Sequence, residues 1–259
     1  CGGGSRYFPC AWVAIRILRH IGCTLPIELW HAGPGELEGG VVKLVEPYGV
    51  TCRDAAAMPG GERLRGWALK PWAVLHSRFA EVLLMDADNV PVCDPSYLFD
   101  AQGFKDTGAL FWPNHNVTMK ESAWEVCGLS AVPGPELESG QLLVDRRRSR
   151  RPLAVTAHLN QHSGYYYKHF YGDKDTWRLA WLLTSQPYAM IEAAAVPTAG
   201  GEILFQHDPS GRRLFQHRLG RTKWHLNSPN FLHHEMMHQE QCLAFLAELR
   251  QIWHRRTAR

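Results

Sequence analysis

The sequence predicts a Rossmann-like, three-layer α/β fold, with helices on both faces of a mostly parallel central sheet. Three observations carry this expectation. Helix and strand signals alternate through the first half of the chain. A compact apolar run, Val82 to Met85, leads straight into an acidic pair, at the strand end where open α/β sheets bind ligands. The 259 residues are 45% hydrophobic and 20% charged, a composition that builds a core and does not read as disorder.

The elements follow in order. In residues 9–21, Ala11, Ala14, Ile15, Leu18 and Ile21 recur at helical spacing, with Pro9 early and Gly22 at the close. Residues 25–30 read as a strand, 41–48 as a helix and 50–53 as a strand. Residues 68–76 are helical, with Pro71 tolerated in the first turn. Residues 81–85, 108–112 and 141–144 are strands. In the less regular second half, 153–162 and 176–183 read as helices and 203–206 and 213–216 as short strands. A last helix is expected over residues 234–253, with Leu243, Leu246, Leu249 and Trp253 on one face. Right-handed crossovers place the helices on the sheet faces. With no internal repeat and no linker, residues 1–259 read as a single domain.

Composition excludes several classes. A net charge of +3 does not imply a nucleic-acid partner, though it suits an anionic small substrate. The basic runs 146–151 and 254–259 read as solvated surface. The seven cysteines form no Cys-x-x-Cys pair, and Cys10, Cys23 and Cys242 read as reduced core residues. That favours a reducing compartment, so the expected location is cytoplasmic, with or without association to a membrane surface. The single sequon, Asn116-Val117-Thr118, is close to a chance match. No apolar run is long enough to span a membrane and no signal peptide is visible. The chain opens on Cys1-Gly2-Gly3-Gly4 without Met, and a β-strand is expected to have preceded these glycines.

The chemistry is concentrated in Asp86-Ala87-Asp88. Alone, Asp-x-Asp is also a common turn or helix cap. Delivered by a buried strand, two carboxylates are costly unless a cation meets them. A hard divalent ion accepts carboxylate and phosphate oxygens together and stabilises a departing diphosphate. His217-x-x-Gly220-x-x-Lys223-Trp224 offers the complement: an imidazole ligand, a glycine that lets backbone approach a phosphate, and a point charge. His207 is the competing histidine. The opening glycines, Gly3 and Gly4 among them, suit a turn that admits a nucleotide, with Tyr7 stacking on its base. Lys70 sits on the helix before the acidic strand, within reach of a diphosphate or ribose. Glu138-Ser139-Gly140 leads into a strand and suits sugar hydroxyls. In Gly172-Asp173-Lys174-Asp175 the acids either cap a helix or face the sugar. Glu138, Asp173 and Asp175 are the candidate catalytic acids.

Taken in order, Lys70, Asp86-Ala87-Asp88, Glu138-Ser139-Gly140, Gly172 to Asp175 and His217 to Trp224 resemble the glycogenin-like retaining glycosyltransferases. The segments Gly66-Trp67-Ala68-Leu69-Lys70-Pro71, Leu84 to Pro91 and Phe215-Gln216-His217-Arg218 resemble more closely the fungal-type α-mannosyltransferases of family 71 and their short bacterial relatives. The resemblance implies a GT-A fold, Mn²⁺ or Mg²⁺, a nucleotide-sugar donor, GDP-mannose from the closer family, a saccharide or glycoconjugate acceptor, and retention of configuration. It implies that Asp86 and Asp88 contact metal and ribose, with His217 as third ligand. Lys70 and Lys223 would meet the donor phosphates, and Asp173 and Asp175 the sugar. A full-length fungal-type protein would act in the Golgi lumen. The chain departs from the glycogenin-like pattern in lacking Pro between Lys223 and Trp224, and Lys174 stands where an uncharged amide is common.

Two other readings compete. His234-Glu235-Met236-Met237-His238 matches the zinc-protease motif, which needs both histidines on one helical face. A non-catalytic sugar-binding module would keep the pocket without turnover.

Overall fold

A computed structural model describes residues 1–37 and 39–257, and side chains as far as Trp253; the basic tail 254–259 falls outside the described side chains. The chain runs α1 (Gly4–His20), β1 (Ile27–His31), α2 (Gly39–Val45), β2 (Val50–Asp54), α3 (Leu69–His76), β3 (Glu81–Met85) and β4 (Asn89–Pro91). It continues through α4 (Gln102–Thr107), β5 (Ala109–Pro113), α5 (Glu121–Val126), β6 (Leu137–Asp145), α6 (Arg150–Gln161), α7 (Ser163–Tyr166) and α8 (Asp173–Leu183). It closes with β7 (Ala189–Met190), β8 (Val196–Pro197), β9 (Ile203–His207), β10 (Arg213–Arg218) and α9 (Gln239–Thr257).

The α/β architecture is as expected, but its ladders are mixed. β1 and β2 pair in parallel, as do β5 and β7. β6 lies antiparallel between β3 and β5, and β4, β10, β9 and β8 form an antiparallel sheet. Short apolar runs carry no signal for strand direction, so spacing alone did not expose the reversed strand.

Two helix starts also differ from expectation. α1 begins five residues before Pro9. Gly3 is extended, and Gly4, the first residue of the helix, takes a left-handed backbone and donates its N–H to the Glu36 carbonyl. α9 begins at Gln239, not at 234. There the Met237 N–H donates to Gln216 and His238 takes a left-handed backbone, which stops the helix from extending backward.

The core lies on both faces of the sheets. α1 buries Trp12, Ile15 and Ile17 against Phe205 and the Phe245 and Leu249 face of α9. Val74, Phe111, Leu142, Trp177 and Trp181 close the other face. At about 25 cal/mol per Å² of apolar surface, each buried aromatic contributes several kcal/mol toward fixing these layers. Cys10, Cys23 and Cys242 are buried free thiols, and all seven cysteines are unpaired. No described helix is long and apolar enough to cross a membrane.

Candidate active site

Backbone pairing brings the site together. β3 ends at Met85, opposite Gln141 of β6, and the Asp86 N–H donates to the Gly140 carbonyl at 2.8 Å. β4 then pairs with β10 so that Asn89 faces His217, and the Arg218 N–H donates to the Asp88 carbonyl at 3.0 Å. The Asn89 side chain ties the same corner to Gly140 and Gln141.

As a result, one ligand atom each from Asp86, Asp88 and His217 lies within 4.8 Å of the others. His217 Nε2 stands 3.4 Å from an Asp88 oxygen and 3.8 Å from an Asp86 oxygen. Two hard carboxylates and an imidazole are a donor set suited to Mn²⁺ or Mg²⁺. The fit extends to the ring's far side, where His217 Nδ1 is buried without a hydrogen bond, 3.6 Å from Glu138 Oε1. A small shift would let Nδ1 donate to that carboxylate, the arrangement that orients metal-bound histidines.

Gly140 makes this placement available. A Cβ there would come within 2.5 Å of His217 Nδ1, so only a glycine lets the imidazole lie against β6. Glu138 Oε1 accepts the Gly140 N–H at 3.0 Å.

Two lysines neutralise the acids. Lys223 pairs with Asp88. Lys70, 6% exposed, lies 3.1 Å from Asp86, 3.0 Å from Asp173 and 3.0 Å from the Ser139 hydroxyl. Burial pushes the Asp86 carboxyl up, but the Lys70 ammonium and His217 outweigh it and hold the group below its ordinary value. Asp173 goes the other way: burial, aided by Asp86, raises it against the pull of Lys70. Burial alone would lower Lys70; Asp173 and Asp86 hold its ammonium above the ordinary value.

These groups border a cavity of about 280 Å³. Gly3, Tyr7, Glu138, Asp173, Gly220 and Lys223 line it with the metal-ligand candidates. The Tyr7 ring faces the Lys223 ammonium at 5.5 Å. Two expected residues stand apart. Gly4, the first residue of α1, is not among the residues that line the cavity. Asp175 turns away from the cavity, accepting the Tyr171 N–H at 2.7 Å and pairing with Lys174; it holds the entry to α8 instead of facing a sugar. His207 is also outside, its Nδ1 3.1 Å from the Ala194 carbonyl.

Sequence reasoning passed over Glu36, Trp67 and Tyr171, which also line the cavity. Trp67 lay inside the motif containing Lys70. Tyr171 directly precedes the Gly172 turn, and Glu36 carried no signal at all. Ser139 was grouped with sugar contacts, yet it bonds Lys70 through its hydroxyl and its carbonyl.

The zinc-protease geometry does not form. Residues 234–238 precede α9, His238 Nε2 lies 2.8 Å from the Val92 carbonyl, and His234 stacks on His233. The two histidines therefore share no helical face.

The mixed sheets, their flanking helices and a carboxylate pair at a strand end define a GT-A-type glycosyltransferase fold. Solved structures agree. The galactosyltransferase LgtC superposes with a TM-score of 0.60 over 95% of this chain and 94% of its own, at 13% identity. The glycosyltransferase GlyE of Streptococcus pneumoniae TIGR4 gives 0.58 over 99% of this chain and 62% of its own, at 14% identity. Within that fold, the chain belongs to the Mannosyl_trans3 family of mannosyltransferases, whose model matches residues 1–128 and 129–202. Among curated relatives, alpha-1,2-mannosyltransferase MNN21 of Candida albicans is 24% identical over 69% of this chain and 36% of its own length. Alpha-1,2-mannosyltransferase MNN2 of Saccharomyces cerevisiae is 30% identical over 43% of this chain and 20% of its own. The chain thus spans about a third or less of these two proteins.

Proposed function

We propose that the chain is a retaining α-mannosyltransferase, one GT-A domain that moves mannose from GDP-mannose to a hydroxyl of a saccharide or glycoconjugate. The carrying observation is the meeting of Asp86, Asp88 and His217 in a cavity that two lysines also enter. Family membership and the alpha-1,2-mannosyltransferase relatives support the donor and the sugar.

Asp86, Asp88 and His217 would hold Mn²⁺ or Mg²⁺, which when bound supplies positive charge to a departing diphosphate. Lys223 stands ready to exchange its Asp88 partner for a phosphate oxygen, a change a flexible ammonium makes easily. The Gly220 backbone borders the same space. Lys70 stays clamped between Asp86 and Asp173 and fixes both acids beside the reacting centre. Glu138 and Asp173 line the space for the transferred sugar. Trp67 and Tyr171, 59% and 50% exposed, border the cavity and offer faces on which an acceptor ring can stack. Cys10, Cys23 and Cys242, buried and unpaired, are compatible with a cytoplasmic setting and equally with the Golgi lumen expected for a full-length fungal-type protein.

The test is Mn²⁺-dependent turnover of a panel of nucleotide sugars by the purified chain, with Asp86→Asn and Asp88→Asn beside it. GDP-mannose should be preferred. Either variant should lose more than about a hundredfold in turnover, since even outer-shell changes around a metal cost ~10- to 100-fold. Unchanged turnover in either variant would remove the assigned role. Donor binding without any turnover in the parent chain would leave a sugar-binding module.

A further inference from the structure

Arg218, the last residue of β10, is fully buried. Arg178 of α8 is comparably buried, and Glu136 meets it at 3.0 Å. Arg218 has no such partner: among the described residues no carboxylate pairs with it. A guanidinium stays charged in a protein interior. Burying it without an acid is costly, and an apolar residue of similar volume would pack a core as well or better. Core packing alone therefore does not account for an arginine here.

Its hydrogen bonds go mainly to one loop. Nε donates to the Thr222 carbonyl and Nη2 to the Phe231 carbonyl at 2.7 Å, so a single planar fork holds residues 222–231 at both ends. Between those ends lie Lys223 and Trp224. The guanidinium carbon stands 3.7 Å from the centre of the Trp224 ring, which is itself fully buried. Nη1 reaches the Met236 sulfur at 3.1 Å. Gln216, two residues earlier on β10, accepts the Met237 N–H at 2.7 Å. The segment 234–238, which forms no zinc site, is thus fastened to Arg218 and its strand.

The same residue joins this loop to the acids. Its N–H donates to the Asp88 carbonyl, and Lys223 pairs with the Asp88 side chain. The path from Asp88 through Arg218 and Thr222 to Lys223 returns to Asp88, a closed circuit in which the fork sets where the Lys223 backbone begins. We propose that Arg218 is a positioning residue, whose fork fixes the loop 222–231 so that the Lys223 ammonium meets the donor diphosphate. The inference rests on the donor reading proposed above. A lysine on a loose loop must lose backbone as well as rotamer freedom when it binds a phosphate. A loop fixed in advance removes the backbone part of that cost before the donor arrives. Arg218 does not line the cavity, so its effect on the donor passes through Lys223.

The experiment measures binding of GDP and of guanosine, each with Mn²⁺, by calorimetry for the parent, Arg218→Met and Arg218→Lys, with thermal unfolding as the check on folding. GDP affinity should fall about tenfold in both variants, the loss of one charge-assisted hydrogen bond, and guanosine affinity less than about twofold. Lysine keeps the charge without the fork, so full rescue by Arg218→Lys would reduce the effect to net charge and overturn the proposal. In a Lys223→Ala background, Arg218→Met should weaken GDP less than about twofold further. Trypsin should cut after Arg221 or Lys223 about fivefold faster or more in both variants, because the loop opens more often. Parent-like GDP affinity in both variants overturns the proposal. So does an equal loss for GDP and guanosine, or an undiminished loss in the Lys223→Ala background. Failure of both variants to fold would make Arg218 a determinant of the fold and overturn it likewise. A parent chain without GDP affinity would sink the donor reading instead; the trypsin arm needs no nucleotide, and unchanged cleavage there would overturn the role of the fork by itself.

Discussion

Gly140→Ala isolates the geometry of the candidate metal site in one methyl group. The backbone at Gly140 is not in the left-handed region, so alanine fits it without strain. The cost is steric and falls on one neighbour. The new Cβ would lie 2.5 Å from His217 Nδ1, and ordinary contact begins near 3.4 Å, so the ring must retreat by roughly 0.9 Å. Metal–ligand distances tolerate only about 0.2 Å. The buried ring, 5% exposed, has little room to recover its place. Mn²⁺ affinity should therefore fall about 10- to 100-fold, or ~1.4 to 2.7 kcal/mol, the range seen when a ligand is misoriented. Stability should fall by ~1 to 3 kcal/mol from overpacking. The assay is a Mn²⁺ titration of donor hydrolysis in a double-mutant cycle with His217→Ala. If Gly140 acts through the imidazole, adding alanine at 140 to the His217→Ala chain should weaken Mn²⁺ less than twofold further. An undiminished second loss in that background, or no loss in the single variant, would refute the reasoning.

Other substitutions probe separate parts of the structure. His217→Ala should weaken Mn²⁺ more than it weakens the fold, whereas His207→Ala should leave the Mn²⁺ titration near that of the parent; the reverse order would move the ligand one strand over. His234→Ala and Glu235→Ala should keep transfer within about threefold of the parent in the same assay, because neither residue lines the cavity. Asp208 tests the acid side of stability. Burial raises its carboxyl, but bonds from Ser210, the Arg212 backbone and Tyr97 outweigh burial and hold it below the ordinary value. Its stabilisation is thus complete above about pH 4 and fades as pH falls further. Asp208→Asn should cost ~2 kcal/mol at pH 7 in urea unfolding, with the gap to the parent closing toward pH 2. A gap that stays constant with pH would rule out the charged form as the stabilising one.

The sequence by itself determined the α/β class and the site's main ingredients. The apolar run into Asp86 and Asp88 was legible because strand burial and the cost of unpaired carboxylates are local facts. The spacing from His217 to Lys223 was equally local. The family resemblance rested on those same short segments and led to the GT-A fold.

The sequence favoured His217 over His207 through the Gly220 and Lys223 offsets, but only the tertiary structure shows which of the two lies beside the aspartates. They lie on adjacent strands of the same sheet, and it is the pairing of β10 with β4 that carries His217 to Asp88. The same holds for Asp173 and Asp175. Two residues apart in α8, one meets Lys70 and the other the Tyr171 N–H, because helical rotation sends them in different directions. The zinc-protease motif has the right letters, but contacts to Gln216 and Val92 hold it outside the helix. Strand direction was equally invisible. Spacing along a chain records which side chains share a face; which strand lies against which edge depends on packing between segments far apart in sequence.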